Sequence, residues 1–196
     1  MVEQIILYPS KAKNAQDLGA GWPDVPEYTF PGGAGIYYTG LDFDAAAVEA
    51  YFGQWHPLHN ATREGTCYVD LHYCMTSAHT GTVSMTLDLW TVSYNNDLAS
   101  LNAPTVTTSW TIDPVDTARY YDVNFYNIGY SGTVRGTRMG QFSMTSLGLS
   151  TIQNEVFYRL RRNATDAIND THTGDISIFR VEFHYPISRY TMTVGE

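Results

Sequence analysis

Two alternating runs on either side of a short polar connection constrain this chain more than any other feature. In the first, Cys67, Val69, Leu71, Tyr73 and Met75 alternate with Thr66, Tyr68, Asp70, His72 and Cys74. In the second, after a turn carrying Ser77, Thr80 and Gly81, Val83, Met85, Leu87 and Leu89 alternate with Ser84, Thr86 and Asp88. A side-chain period of two belongs to a strand with one face in a core. Two such strands with a brief polar link predict an antiparallel hairpin, placed here at the centre of a β-sandwich.

The same reasoning extends along the chain. Residues 36–43 read as a first body strand, and Asp44 before an alanine run predicts a short helix over 45–52, ended by Gly53. Residues 54–64 read as a loop. Val106, Thr108, Trp110 and Ile112 alternate with hydroxyl residues and stop at Asp113-Pro114. Residues 119–128 fit no single period, and 129–140 read as a hairpin or a long loop. Phe142 and Met144 open a short strand, followed by a turn over 146–150. Val156, Tyr158 and Leu160 alternate with Glu155, Phe157, Arg159 and Arg161. After a polar loop over 163–174, Phe179, Val181, Phe183 and Tyr185 alternate with Ile178, Arg180, Glu182 and His184, until Pro186 disturbs the ladder. About eight strands separated by loops predict an all-β sandwich or jelly roll.

Residues 1–35 differ in kind. After an apolar run at 5–8 come closely spaced prolines and glycines, which oppose regular pairing. The expected organisation is an extended N-terminal arm, 1–35, ahead of one jelly-roll domain, 36–196. Trp22, Tyr28 and Phe30 give the arm aromatic surface, either for a partner subunit or for packing along its own body.

Composition narrows the function. The chain of 196 residues is long enough for one well-filled core. Its formal charge of −9 disfavours a nucleic-acid partner. No apolar run is long enough to span a bilayer, and the acidic start is not a signal peptide, so synthesis in a cytoplasm and no membrane association are expected. Cys67 and Cys74 lie on one predicted strand, about 20 Å apart and facing opposite sides. That excludes a bridge between them and predicts free thiols.

Chemistry is sparse. His56 and His59 form an H-x-x-H pair with no further residue spaced to complete a metal site, so no metal and no cofactor are expected. Asp70 and Asp88, on the polar side of the predicted hairpin, are the best pair of carboxylates for hydrolysis, and surface charge explains them more simply. No nucleophile elbow or phosphate loop occurs. No catalytic residue is expected. Arg159, Arg161 and Arg162 form the sole basic cluster, paired either locally with Glu155 or Asp166, or with an acidic patch on another copy. The 15 tyrosines and 4 tryptophans suit a protein interface, a sugar-stacking platform, or strand filling.

Several stretches together resemble a family of tailed-bacteriophage structural proteins with a single jelly-roll body. They are L-D-F-D at 41–44 with its short helix, C-Y-V-D-L-H-Y at 67–73, S-A-H-T-G-T-V at 77–83, V-F-Y-R-L-R-R-N at 156–163, D-A-I-N-D-T at 166–171 and I-F-R-V-E-F-H-Y-P-I at 178–187. Where that family's strand after the turn carries a tryptophan, Met85 stands here and Trp90 comes later. The resemblance implies a non-enzymatic virion component made in the host cytoplasm, commonly a homotrimer. It would be a capsid decoration or cement protein bound to the major capsid protein, or alternatively a tail-fibre head that binds a surface glycan. Trp22, Tyr28, Phe30, Arg159, Arg161 and Arg162 are the expected subunit or capsid contacts.

Overall fold

Both alternating runs become strands, but they lie in different sheets. The computed structural model describes residues 2–7, 27–29, 37–57, 61–62, 64–75, 81–92, 103–112, 135–148 and 155–187. In chain order the strands are β1 (Val2–Leu7), β2 (Glu27–Thr29), β3 (Tyr37–Thr39), β4 (Leu41–Phe43), β5 (Glu49–Trp55), β6 (Thr66–Met75), β7 (Val83–Val92), β8 (Val106–Ile112), β9 (Arg135–Ser143), β10 (Glu155–Arg162) and β11 (Ile176–Pro186). A turn of 3-10 helix, Met144–Leu147, follows β9.

The protein is an all-β sandwich. One sheet runs β1-β11-β6-β9, with β4 sharing the β11 edge with β1; the other runs β5-β10-β7-β8; β2 and β3 pair separately. Every pairing is antiparallel. Four of them are nested: β4 with β11, β5 with β10, β6 with β9, and β7 with β8. The chain is thus a long two-stranded ribbon turned back at β7–β8. It is rolled so that β11 also pairs with β6, and β10 with β7.

The hairpin expected from residues 65–93 is therefore corrected. Alternation says which face of a strand is buried, not which strand lies beside it. Residues 76–82 are enough chain to cross the roughly 10 Å between packed sheets. Leu71 and Leu87 consequently enter one core from opposite sides, both fully buried.

The short helix over 45–52 is also corrected. Asp44 caps a turn instead: its Oδ1 accepts from the Ala46 amide at 2.5 Å, while Glu49 Oε2 accepts from the Asp44 amide at 2.7 Å. The backbone then extends as β5, paired along β10, with Tyr51 and Trp55 in the core. Gly53 stands in mid-strand rather than ending a helix. The Tyr158 ring lies across it, and a Cβ there would overlap that ring. Within the span expected to be a hairpin or long loop at 129–140, residues 135–140 are strand; pairing with β6 overrides the weak propensity of Gly136 and Gly140.

In β11 the register slips between Ile178 and Arg180. This irregularity puts Ile176 and Ile178 into the core together with Val181, Phe183 and Tyr185. The sequence placed Ile178 on the polar face, because simple alternation carries no sign of a bulge. Trp55 of one sheet stacks on Phe183 of the other at 4.6 Å and 13°, with Tyr185 tilted against it at 5.2 Å and Tyr158 edge-on to Phe183 at 5.6 Å. Such aromatic contacts add about 0.5–1.5 kcal/mol each beyond their burial.

The first residues of the expected arm form an edge strand of the body, β1 running along Val181–Pro186. Residues 8–26, with Trp22, lie outside the described residues, as does Phe30.

Candidate interaction face

Directly paired residues on neighbouring strands point to the same side, so register alone lays out the outer face of the β5-β10-β7-β8 sheet. Gln54, Phe157 and Trp90 form one row. Phe52, Arg159, Asp88 and Thr107 form the next, followed by Ala50, Arg161, Thr86 and Ser109. Phe52, Phe157 and Trp90 are half-buried, and Thr105 just before β8 and Thr107, Ser109 and Thr111 along it are exposed.

Asp88 is the electrostatic centre of this face. Its Oδ2 accepts from Arg159 Nε at 2.8 Å and Nη2 at 2.5 Å, and its Oδ1 accepts from Thr107 Oγ1 at 2.8 Å. The Arg159 guanidinium also sits 5.4 Å from the centre of the Trp90 ring, a cation–π contact. Arg161 Nε lies 3.6 Å from the same Oδ2, beyond hydrogen-bond distance, and Nε is buried with no acceptor among the described residues. Two guanidiniums thus share one carboxylate, leaving this part of an acidic protein with a net positive charge.

Hydrogen bonds close the rest of the face. Asn163 Nδ2 donates to Ser84 Oγ at 3.0 Å and Thr86 Oγ1 at 2.8 Å, and Thr86 bonds Ser109 at 2.8 Å. That explains how Ser84 and Thr86 are buried on an outward-pointing side. At the other end Glu155 accepts from Gln54 Nε2 at 2.9 Å and bonds His56 Nδ1 at 2.8 Å.

Arg162 behaves differently from its two neighbours. It faces inward, is fully buried, and places all five N–H groups. Nε and Nη2 donate to Asp170 at 3.0 and 2.7 Å, Nη1 to the Phe43 and Gly174 carbonyls at 3.1 and 2.8 Å, and Nη2 to the His172 carbonyl at 2.8 Å. Asp170 Oδ2 also accepts from the Ser84 amide at 3.0 Å. One side chain therefore ties β10 to β4 of the opposite sheet and to the 163–175 connection.

The local partners expected for the basic cluster are corrected by this geometry. They are Asp88 and Asp170, not Glu155 or Asp166. Asp166 instead caps its own turn, and hydrogen bonds from the Asn169 side chain, then the Asn169 amide, hold its carboxyl below the usual value. The Asp70–Asp88 pair does not form, since β6 and β7 belong to opposite sheets. Tyr28 lies in β2 opposite Tyr38. His56 engages Glu155, and His59 lies outside the described residues. Among the described residues no three His, Cys, Asp or Glu side chains are grouped to hold a metal, and no helix is long and apolar enough to cross a membrane. Cys67 is buried, and its Sγ donates to the Tyr68 carbonyl at 3.7 Å.

Sequence reasoning missed the Phe157–Trp90 row and Asp170. For the first a signal existed. Trp90 has the parity of Ser84, Thr86 and Asp88, and a tryptophan on the polar side of a strand needs a reason. Nothing local marks Asp170 as the partner of a buried arginine.

No protein-family model matches the chain, and no curated protein matches it. Among solved structures it is similar to the insecticidal delta-endotoxin Cry8Ea1 of Bacillus thuringiensis, at 10% identity and a TM-score of 0.36. The match covers 76% of this chain and 20% of the toxin, so the chain spans about a fifth of the toxin's length. A likeness at that score carries no argument about what the protein does.

Proposed function

We propose that this chain is a non-enzymatic virion structural protein of a tailed bacteriophage, a capsid decoration or cement subunit that binds capsid proteins and associates with itself. The observation that carries the reading is the nested order of strands, β4 to β7 returning through β8 to β11. We read this rolled ribbon as a jelly roll, the body implied by the resemblance at 41–44, 67–83 and 156–187. Jelly rolls recur in viral capsids and in lectins, so the fold narrows the function and the exposed face must choose. Light scattering on the full chain tests self-association: a trimer mass is expected, and a monomer at every concentration would remove the self-association on which the reading depends.

A second reading, the head of a tail fibre or appendage that binds a host glycan, has its own support. The Phe157–Trp90 row, with Gln54 and Glu155 beside it, is an aromatic strip with an amide and a carboxylate at one end. A glycan array probed with the full chain tests it, and an array without signal would count against it.

A further inference from the structure

We propose that the outer face of β5-β10-β7-β8 binds an acidic saccharide, with Arg161 receiving the ligand's carboxylate and the Phe157–Trp90 row stacking on its rings. This rests on the glycan-binding reading and adds the charge of the ligand and the residue that reads it.

Arg161 is the one member of the Asp88 group whose charge is not committed to a hydrogen bond there. Asp88, 3% exposed, is held by Arg159 and Thr107, whereas Arg161 is 34% exposed and makes only a 3.6 Å Coulombic approach through Nε. An attraction of that kind at a partly exposed site is weak. Drawing the guanidinium toward a ligand therefore costs little, and the carboxylate left behind keeps both of its partners. An arginine fork takes a carboxylate through two parallel N–H bonds.

The face also sets the ligand's direction. Glu155 stands six positions before Arg161 on the same strand, about 20 Å at roughly 3.3 Å per residue. Its carboxylate repels an anion at that end, and the aromatic row lies between. A saccharide is thereby laid along β10 with its acid toward Arg161. The border formed by β8 favours a sugar over a protein as occupant. The exposed Thr105, Thr107, Ser109 and Thr111 of this border are residue types under-represented among the hot spots of protein interfaces, while their hydroxyl oxygens can accept from sugar hydroxyls, Thr107 keeping its own proton on Asp88.

Calorimetric titration of the full chain tests this with two acidic probes and their neutral counterparts: a galacturonate oligosaccharide against its methyl ester, and sialyllactose against lactose. At least one acid should bind about 10- to 100-fold more tightly than its counterpart, the range of a hydrogen bond to a charged group. Arg161→Gln should bring that acid down to the affinity of the neutral form while leaving the neutral form's affinity and the urea midpoint unchanged. Trp90→Ala should weaken both. Equal binding of an acid and its counterpart would overturn the carboxylate assignment and leave the glycan reading standing. Binding of none of the four, with the array also silent, would overturn both. An unchanged acid affinity in Arg161→Gln would remove Arg161 from the site.

Discussion

Arg162 offers the sharpest test of how the two sheets are held together. Its five N–H groups meet five acceptors, two of them on Asp170 and three on the carbonyls of Phe43, His172 and Gly174. Replacing it with methionine keeps the stem and removes every donor. The Asp170 carboxylate is then buried without its cation, which typically costs about 3–5 kcal/mol. Against a total stability of about 5–15 kcal/mol for a domain, such a variant is close to unfolding. Arg162→Lys is the gentler probe. An ammonium keeps the charge but has three donors in place of five, so two acceptors go unmet, at about 1–3 kcal/mol each as an upper range. We expect the lysine protein to fold and to lose roughly 2–4 kcal/mol in urea unfolding followed by tryptophan fluorescence, with the slope against denaturant unchanged. A double-mutant cycle with Asp170→Asn should show strong coupling, because each single change strands the other partner. If Arg162→Lys unfolds at the same urea concentration as the parent, the interior clamp has been misjudged.

Three smaller effects follow from the same structure. Asp88→Asn should cost about 1–3 kcal/mol, because it weakens the anchor of the largely buried Arg159, whereas Arg161→Gln should stay within about 0.5 kcal/mol; matched urea curves separate them, and equal losses would argue against the division of roles. Gly53→Ala should destabilise by about 1–3 kcal/mol through overlap with the Tyr158 ring, and a neutral result would mean the ring moves freely. Burial, then the neighbouring charge and hydroxyl of Tyr51, push the Tyr158 hydroxyl well above its ordinary value of 10.0. The native protein therefore keeps a proton that the unfolded chain releases. Tyr158 contributes its full stability below pH 10 and loses it as pH rises toward the folded value, at about 1.4 kcal/mol per pH unit. Tyr158→Phe should flatten the alkaline limb of the stability curve by that slope, and an unaltered limb would refute the assignment.

Much of the sandwich was legible in the chain. Alternation located β6, β7, β8 and β10, and it named buried residues on each, among them Val69 and Leu71, Leu87 and Leu89, Ile112, and Val156 and Leu160. It failed where the code is ambiguous or interrupted. Ala45 to Ala47 read as helix because alanine favours helices, and Tyr51 and Trp55, four apart, fit one face of a helix as well as one face of a strand. Ile178 was assigned to the wrong face because a bulge shifts parity without a marker residue. Of the candidate face, Arg159 and Arg161 were visible as a basic cluster, but their shared partner Asp88 lies on a strand far away in sequence.

The sequence by itself determined which side of most strands is buried, because that depends on the local succession of apolar and polar residues. Only the tertiary structure decided which strands are neighbours. Pairing depends on the whole ribbon rolling so that both apolar faces meet, and no short stretch contains that information. The same holds for charge: whether an arginine on β10 faces solvent or the interior is set by parity, but what it meets there is set by the strand or loop that folding brings alongside.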